Sequence, residues 1–76
     1  MTTATVDLES QSVSFAGTQY DVRPLAADTF TVLVEGVPVG RIVYTFGAAN
    51  GVPEGDAISE EALTTIAEAW FAAVDG

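Results

Sequence analysis

The sequence predicts an α+β domain, a small antiparallel sheet of three to five strands with one C-terminal helix packed on one face. Three observations predict it. Between residues 5 and 46 apolar and polar side chains alternate in the manner of strands, glycine turn signals interrupt the alternation, and beyond Ser59 the spacing changes to that of a helix. The chain has 76 residues, enough for one domain (residues 1–76), and a chain this short buries only about 60% of its unfolded surface. No internal repeat, low-complexity tract or linker divides it.

The elements follow in order. Residues 5–8 alternate weakly, with Val6 and Leu8 on one face; Val13 and Phe15 then lead into a turn at Ala16-Gly17. Residues 19–25 place Tyr20 and Val22 opposite Asp21 and Arg23, and Pro24, which offers no ladder donor, marks a strand end or an edge. The β-branched and aromatic bias of residues 29–34 makes that strand the clearest in the chain. Glu35-Gly36 is a hairpin signal, with Gly36 able to take positive φ and Pro38 able to shift the turn by one residue. In residues 37–46, Ile42, Tyr44 and Phe46 share the core face, while Val39 and Val43, with Leu33, fall on the opposite face. Residues 47–55, with three glycines, a proline and no periodicity, read as a loop.

The helix signal is strong. Ser59 is a good N-cap, Glu60 and Glu61 put negative charge where the macrodipole favours it, and Ile58 with Leu63 occupies the positions of a hydrophobic staple. Leu63, Ile66, Ala67, Trp70 and Val74 form one apolar stripe that Phe71 widens, and Glu61, Thr65, Glu68, Ala72 and Asp75 form the wet face.

Composition narrows the function. Eleven acidic residues stand against two arginines, Arg23 and Arg41, with no histidine, cysteine or lysine, for a net charge of -9. Nucleophilic catalysis near neutral pH lacks its base, so no enzyme is expected. Carboxylate pairs need a cleft that separates their pKa values, and so short a chain has little volume for one. The loop containing Asn50, Glu54 and Asp56 offers oxygen ligands without the EF-hand spacing, and the glycines form no phosphate cradle, so neither metal nor cofactor is implied. The absence of cysteine leaves the redox compartment open, the N-terminus lacks a signal-peptide pattern, and residues 69–74 are too short an apolar run to span a membrane. A soluble cytoplasmic protein is expected.

Nucleic acid and anionic membranes are poor partners for such a chain, since both need a basic patch; the expected partner is a basic protein. For this mass, surface scaling gives about 4,400 Å², or roughly 22 Å between evenly spread net charges, well beyond the physiological Debye length of about 8 Å. Charge therefore recognises only where it clusters. Glu54, Asp56, Glu60 and Glu61 are such a cluster, uninterrupted by any positive charge, although the two glutamates also have a local reason to sit in a first helical turn. Glu68 extends the acidic face along the helix, and Phe71, at the margin of the apolar stripe, serves either as core edge or as an aromatic anchor for a partner. The two arginines are expected to pair with Asp21 or other strand carboxylates.

Two function classes result. In the first, the chain is a small acidic protein-binding module, an inhibitor that docks on a basic nucleic-acid-binding partner. In size and charge it is similar to the small acidic proteins phages use against host nucleases, anti-CRISPR proteins and other DNA mimics among them; the likeness is one of bulk character, without a shared motif. In the second, it is a non-enzymatic domain from a salt-adapted acidic proteome. A homodimer built through the exposed sheet face or an edge strand is compatible with either.

Overall fold

Six antiparallel strands in simple sequential order curl around one C-terminal helix in the computed structural model, which describes residues 4–75. The strands are β1 (Thr5–Asp7), β2 (Ser12–Phe15), β3 (Thr18–Ala26), β4 (Thr29–Val34), β5 (Val37–Thr45) and β6 (Ala48–Pro53), and the helix α1 covers Glu60–Asp75. The α+β class and the packed C-terminal helix agree with the sequence; the strand number does not, being six rather than three to five. The helix lies mainly against β6 and β5 and also reaches β1 and β2, so it bridges the two ends of the curled sheet.

Tight turns explain the meander. Ala16-Gly17, Glu35-Gly36 and Phe46-Gly47 each place both central residues at positive φ, the signature of the type I′ turn whose twist matches that of flanking strands. The first connection is held differently: the Asp7 side chain accepts hydrogen bonds from the amides of Glu9 (3.1 Å) and Ser10 (3.3 Å). Pro24 lies inside β3, at a local edge. The amide of Val22 donates to the Gln11 carbonyl, and β2 reaches no farther, so the donor that Pro24 lacks would have had no strand opposite it.

Alternation assigns the core. Val22, Val32, Gly40 and Pro53 form one cross-strand row, and Phe30, Ile42 and Gly51 another, all on the face that meets the helix. Val13, Val22, Val32, Ile42, Leu63 and Ile66 are fully buried there. Val39 joins them, contrary to strict alternation. Leu33 pairs with Pro38 while Val32 pairs with Gly40, so Val39 is the extra residue of a β-bulge, and the bulge turns it from the outer face into the core. Pro38 leaves the preceding turn unshifted, with Val34 opposite Val37.

The segment expected to be a loop, residues 47–55, contains β6. Its pattern is hidden because the helix, rather than large side chains, covers its inner face. Gly51 is the contact point: a Cβ built there would lie 2.7 Å from the Leu63 carbonyl carbon and from the Thr64 nitrogen, and the Gly51 amide donates to the Thr64 hydroxyl at 3.2 Å. That bond satisfies an outward-facing edge donor, and the helix thereby closes β6 to further strand pairing.

The helix begins as the sequence indicates. Ser59 Oγ accepts the Ala62 amide at 3.1 Å, the Ser59 carbonyl accepts the Leu63 amide, and Ile58 and Leu63 are both in the core. Replacing Ser59 by alanine is expected to cost about 1 kcal/mol, a fall of roughly 4–8 °C in thermal midpoint for a domain of this size; circular dichroism melting checks it. Leu63, Ile66, Ala67 and Trp70 are buried as the stripe requires, but Val74, half exposed, lies outside the core at the far end of the helix. Trp70 buries its Nε1 donor without a hydrogen-bond partner among the described residues, while its ring meets Phe30 edge to face at 5.6 Å.

The arginines depart from expectation. Arg23 Nη1 donates to the carbonyls of Gln11 (3.1 Å) and Val22 (3.0 Å) instead of pairing with Asp21. Arg23, Thr31, Arg41 and Val52 form one row across the outer face, so the chain's two cations share that face with the partly exposed Leu33 and Val43. Among the described residues no helix is long and apolar enough to cross a membrane.

Candidate functional site

An open groove of about 690 Å³ lies where the second half of α1 meets the β5–β6 hairpin and the β3–β4 turn. Three rings form its apolar wall. Phe71 stands between the other two, 5.6 Å from Phe30 with planes at 67° and 5.2 Å from Tyr44 with planes at 44°. Strand register places these rings together: Phe30 pairs with Ile42, two residues before Tyr44, and both point to the helix side. Ala48, Ala49 and Gly47 on the hairpin and Ala72 on the helix are small, which leaves the space open.

Two carboxylates border the same groove, Asp28 from the β3–β4 turn and Glu68 from the helix, and no basic residue lines it. Asp28 is fixed opposite Tyr44, because its carbonyl accepts the Tyr44 amide at 2.9 Å. Its φ of 60° is a conformation that aspartate tolerates better than most residues. Both acids are exposed, while Arg23 and Arg41 lie on the outer face of the sheet. The groove is therefore a locally negative aromatic surface.

The residues singled out from sequence divide into two sets. Glu68 and Phe71 belong to this groove. Glu54, Asp56, Glu60 and Glu61 lie at the opposite end of the helix, in the β6–α1 connection and the first helical turn, all exposed. Glu61 borders a smaller depression of about 340 Å³ with Phe15 and Ala62. Among the described residues no set of three or more carboxylates is placed to hold a metal ion. Phe71 is half buried, acting as core edge and groove wall together.

Phe46 does not lie on the core face of β5, where alternation along residues 37–46 would put it. The strand ends at Thr45, and Phe46 occupies the first central position of the β5–β6 turn with φ 50° and its side chain entirely exposed, at 105% of the reference area. Its neighbour Gly47 is among the residues that line the groove, while the Phe46 ring itself is not. Such turns favour Asn, Asp or Gly at this position; a bulky residue in the left-handed region is disfavoured by about 1–2 kcal/mol. A phenylalanine there gains nothing from burial, and Ala16 and Glu35 hold the same position of their own turns at φ 52° and 51°. The signal was present in the sequence as a Phe-Gly pair between alternating segments, the same spacing as Glu35-Gly36.

Comparison of the chain with protein-family models, with curated proteins and with solved structures finds no match.

Proposed function

We propose that this chain is a non-enzymatic protein-binding module that docks on a basic partner through the end of the molecule carrying Phe46 and the aromatic groove. Phe46 carries the proposal: a fully exposed aromatic ring in a strained turn, next in sequence to Gly47 of the groove that holds three further rings and two carboxylates. Exposed aromatic anchors next to a pocket dominate interface energies, and charge complementarity steers the encounter. Net charge of -9 selects partners with basic surfaces, among which nucleic-acid-binding proteins are the prominent class. Docking on such a protein would cover its phosphate-binding face and inhibit it. Glu54, Asp56, Glu60 and Glu61 contribute long-range attraction in this scheme, and Glu68 and Phe71 contribute contact.

A salt series tests the proposal against salt adaptation. Immobilised protein is expected to retain a basic protein at low salt and release it as salt rises, since screening weakens the attraction, while its own thermal midpoint varies little across the same series. A midpoint that climbs steadily with salt, with nothing retained at any concentration, would assign the acidity to a salt-rich environment.

A further inference from the structure

We infer that the groove is a receptor for an arginine side chain of the partner. The inference rests on the docking proposal and specifies which chemistry the groove accepts. Phe30, Tyr44 and Phe71 supply aromatic surface, Asp28 and Glu68 supply two carboxylates at its border, and no positive charge within the groove satisfies them. A cation over an aromatic face is held by the ring quadrupole, and more strongly where the face is partly withdrawn from water.

The guanidinium matches the chemistry of both the rings and the carboxylates. It is planar, so it stacks on a ring, and it is a fork of donors, so it meets a carboxylate through two parallel bonds in the same pose. An ammonium is a compact, strongly hydrated point charge that does neither as well. At about 690 Å³ the groove exceeds one side chain and lies within the usual range of ligand sites, roughly 300–1,000 Å³, so it accommodates the arginine together with adjoining backbone. Small residues at Ala48, Ala49 and Ala72 leave room for that backbone. The chain's own arginines are both on the outer sheet face, Arg23 already engaged with two carbonyls, so neither occupies the groove from within.

The test is an amide chemical-shift titration of the isotope-labelled protein with acetyl-Gly-Gly-Arg-Gly-Gly-amide and with the same peptide carrying lysine or citrulline at the centre. Citrulline keeps the planar shape and loses the charge. The arginine peptide is expected to produce saturable shifts confined to Gly47, Ala48, Glu68 and Phe71 and their neighbours, binding about tenfold tighter than the citrulline peptide, with Glu68→Gln removing about tenfold. The lysine peptide should bind several-fold more weakly than arginine. Equal affinity of the arginine peptide with either of the other two, shifts centred on residues 54–61, or no saturable shift each overturns the inference. Groove shifts that appear on concentrating the protein without peptide overturn it too, because a second copy would then be the occupant. The docking proposal stands or falls separately: a Phe46 variant that loses partner capture, beside a silent peptide titration, removes only the arginine assignment.

Discussion

Gly51→Ala is expected to lower the thermal midpoint by roughly 12–24 °C, more than any loop substitution in the chain, for a loss of about 3 kcal/mol. The added methyl would meet main chain rather than a movable side chain: the Leu63 carbonyl carbon and the Thr64 nitrogen, each 2.7 Å away. Relief requires moving the helix as a body, which breaks the bond from the Gly51 amide to Thr64 Oγ1 and loosens Leu63, a fully buried side chain. Total stability for this length is of the order of 4–11 kcal/mol, so one methyl removes a large share. Gly51 is not in the positive-φ region, so steric exclusion alone produces the effect. Gly17→Ala is the matching control. Its added methyl meets nothing within 4 Å, and only the strain at φ 80° remains, worth about 1 kcal/mol. Differential scanning calorimetry of both variants measures the contrast; a Gly51→Ala midpoint within two degrees or so of wild type would mean that the helix is not seated on β6.

Phe46→Asn is expected to move stability and binding in opposite directions. Asparagine tolerates the left-handed conformation and is favoured in type I′ turns, so the substitution relieves about 1 kcal/mol and raises the midpoint by several degrees. No packing is lost, because the ring is fully exposed. Binding should fall by about thirtyfold or more, the scale of an interface hot spot. Net charge does not change, so any non-specific attraction between acidic and basic surfaces is retained in the variant. A drop in capture therefore reports the ring itself.

Much of this architecture was legible in the sequence, and the failures share a cause. Alternation revealed β3, β4 and β5 because one face of each is covered by side chains of the core. The Ser59 cap and the stripe from Leu63 to Trp70 were legible because local hydrogen bonding and helical spacing are written in nearby residues. β6 was not, because its inner face is complementary to the helix backbone, and residues chosen for close approach, Ala49 and Gly51, resemble loop composition. Val39 was misplaced because one bulge residue inverts the alternation on which the reading depends. The same limit applied to the site. Glu68 and Phe71 were placed on their helix faces by spacing alone, whereas their relation to Asp28, Phe30 and Tyr44 arises from the register of β4 and β5 and has no signal along the chain. Phe46 was lost by extending the strand one residue into a turn.

On the docking proposal the groove end of the molecule, and not the acidic connection before the helix, makes the specific contact. Side-by-side capture tests it most directly, using wild type, Phe46→Asn, and a variant neutralised at Glu54, Asp56, Glu60 and Glu61 with the corresponding amides, all confirmed folded by circular dichroism. The expected result is that Phe46→Asn captures the basic protein about thirtyfold more weakly than wild type, while the neutralised variant still captures it at low salt with slower association. Full capture by Phe46→Asn together with complete loss in the neutralised variant would contradict the account and place the contact at the start of the helix.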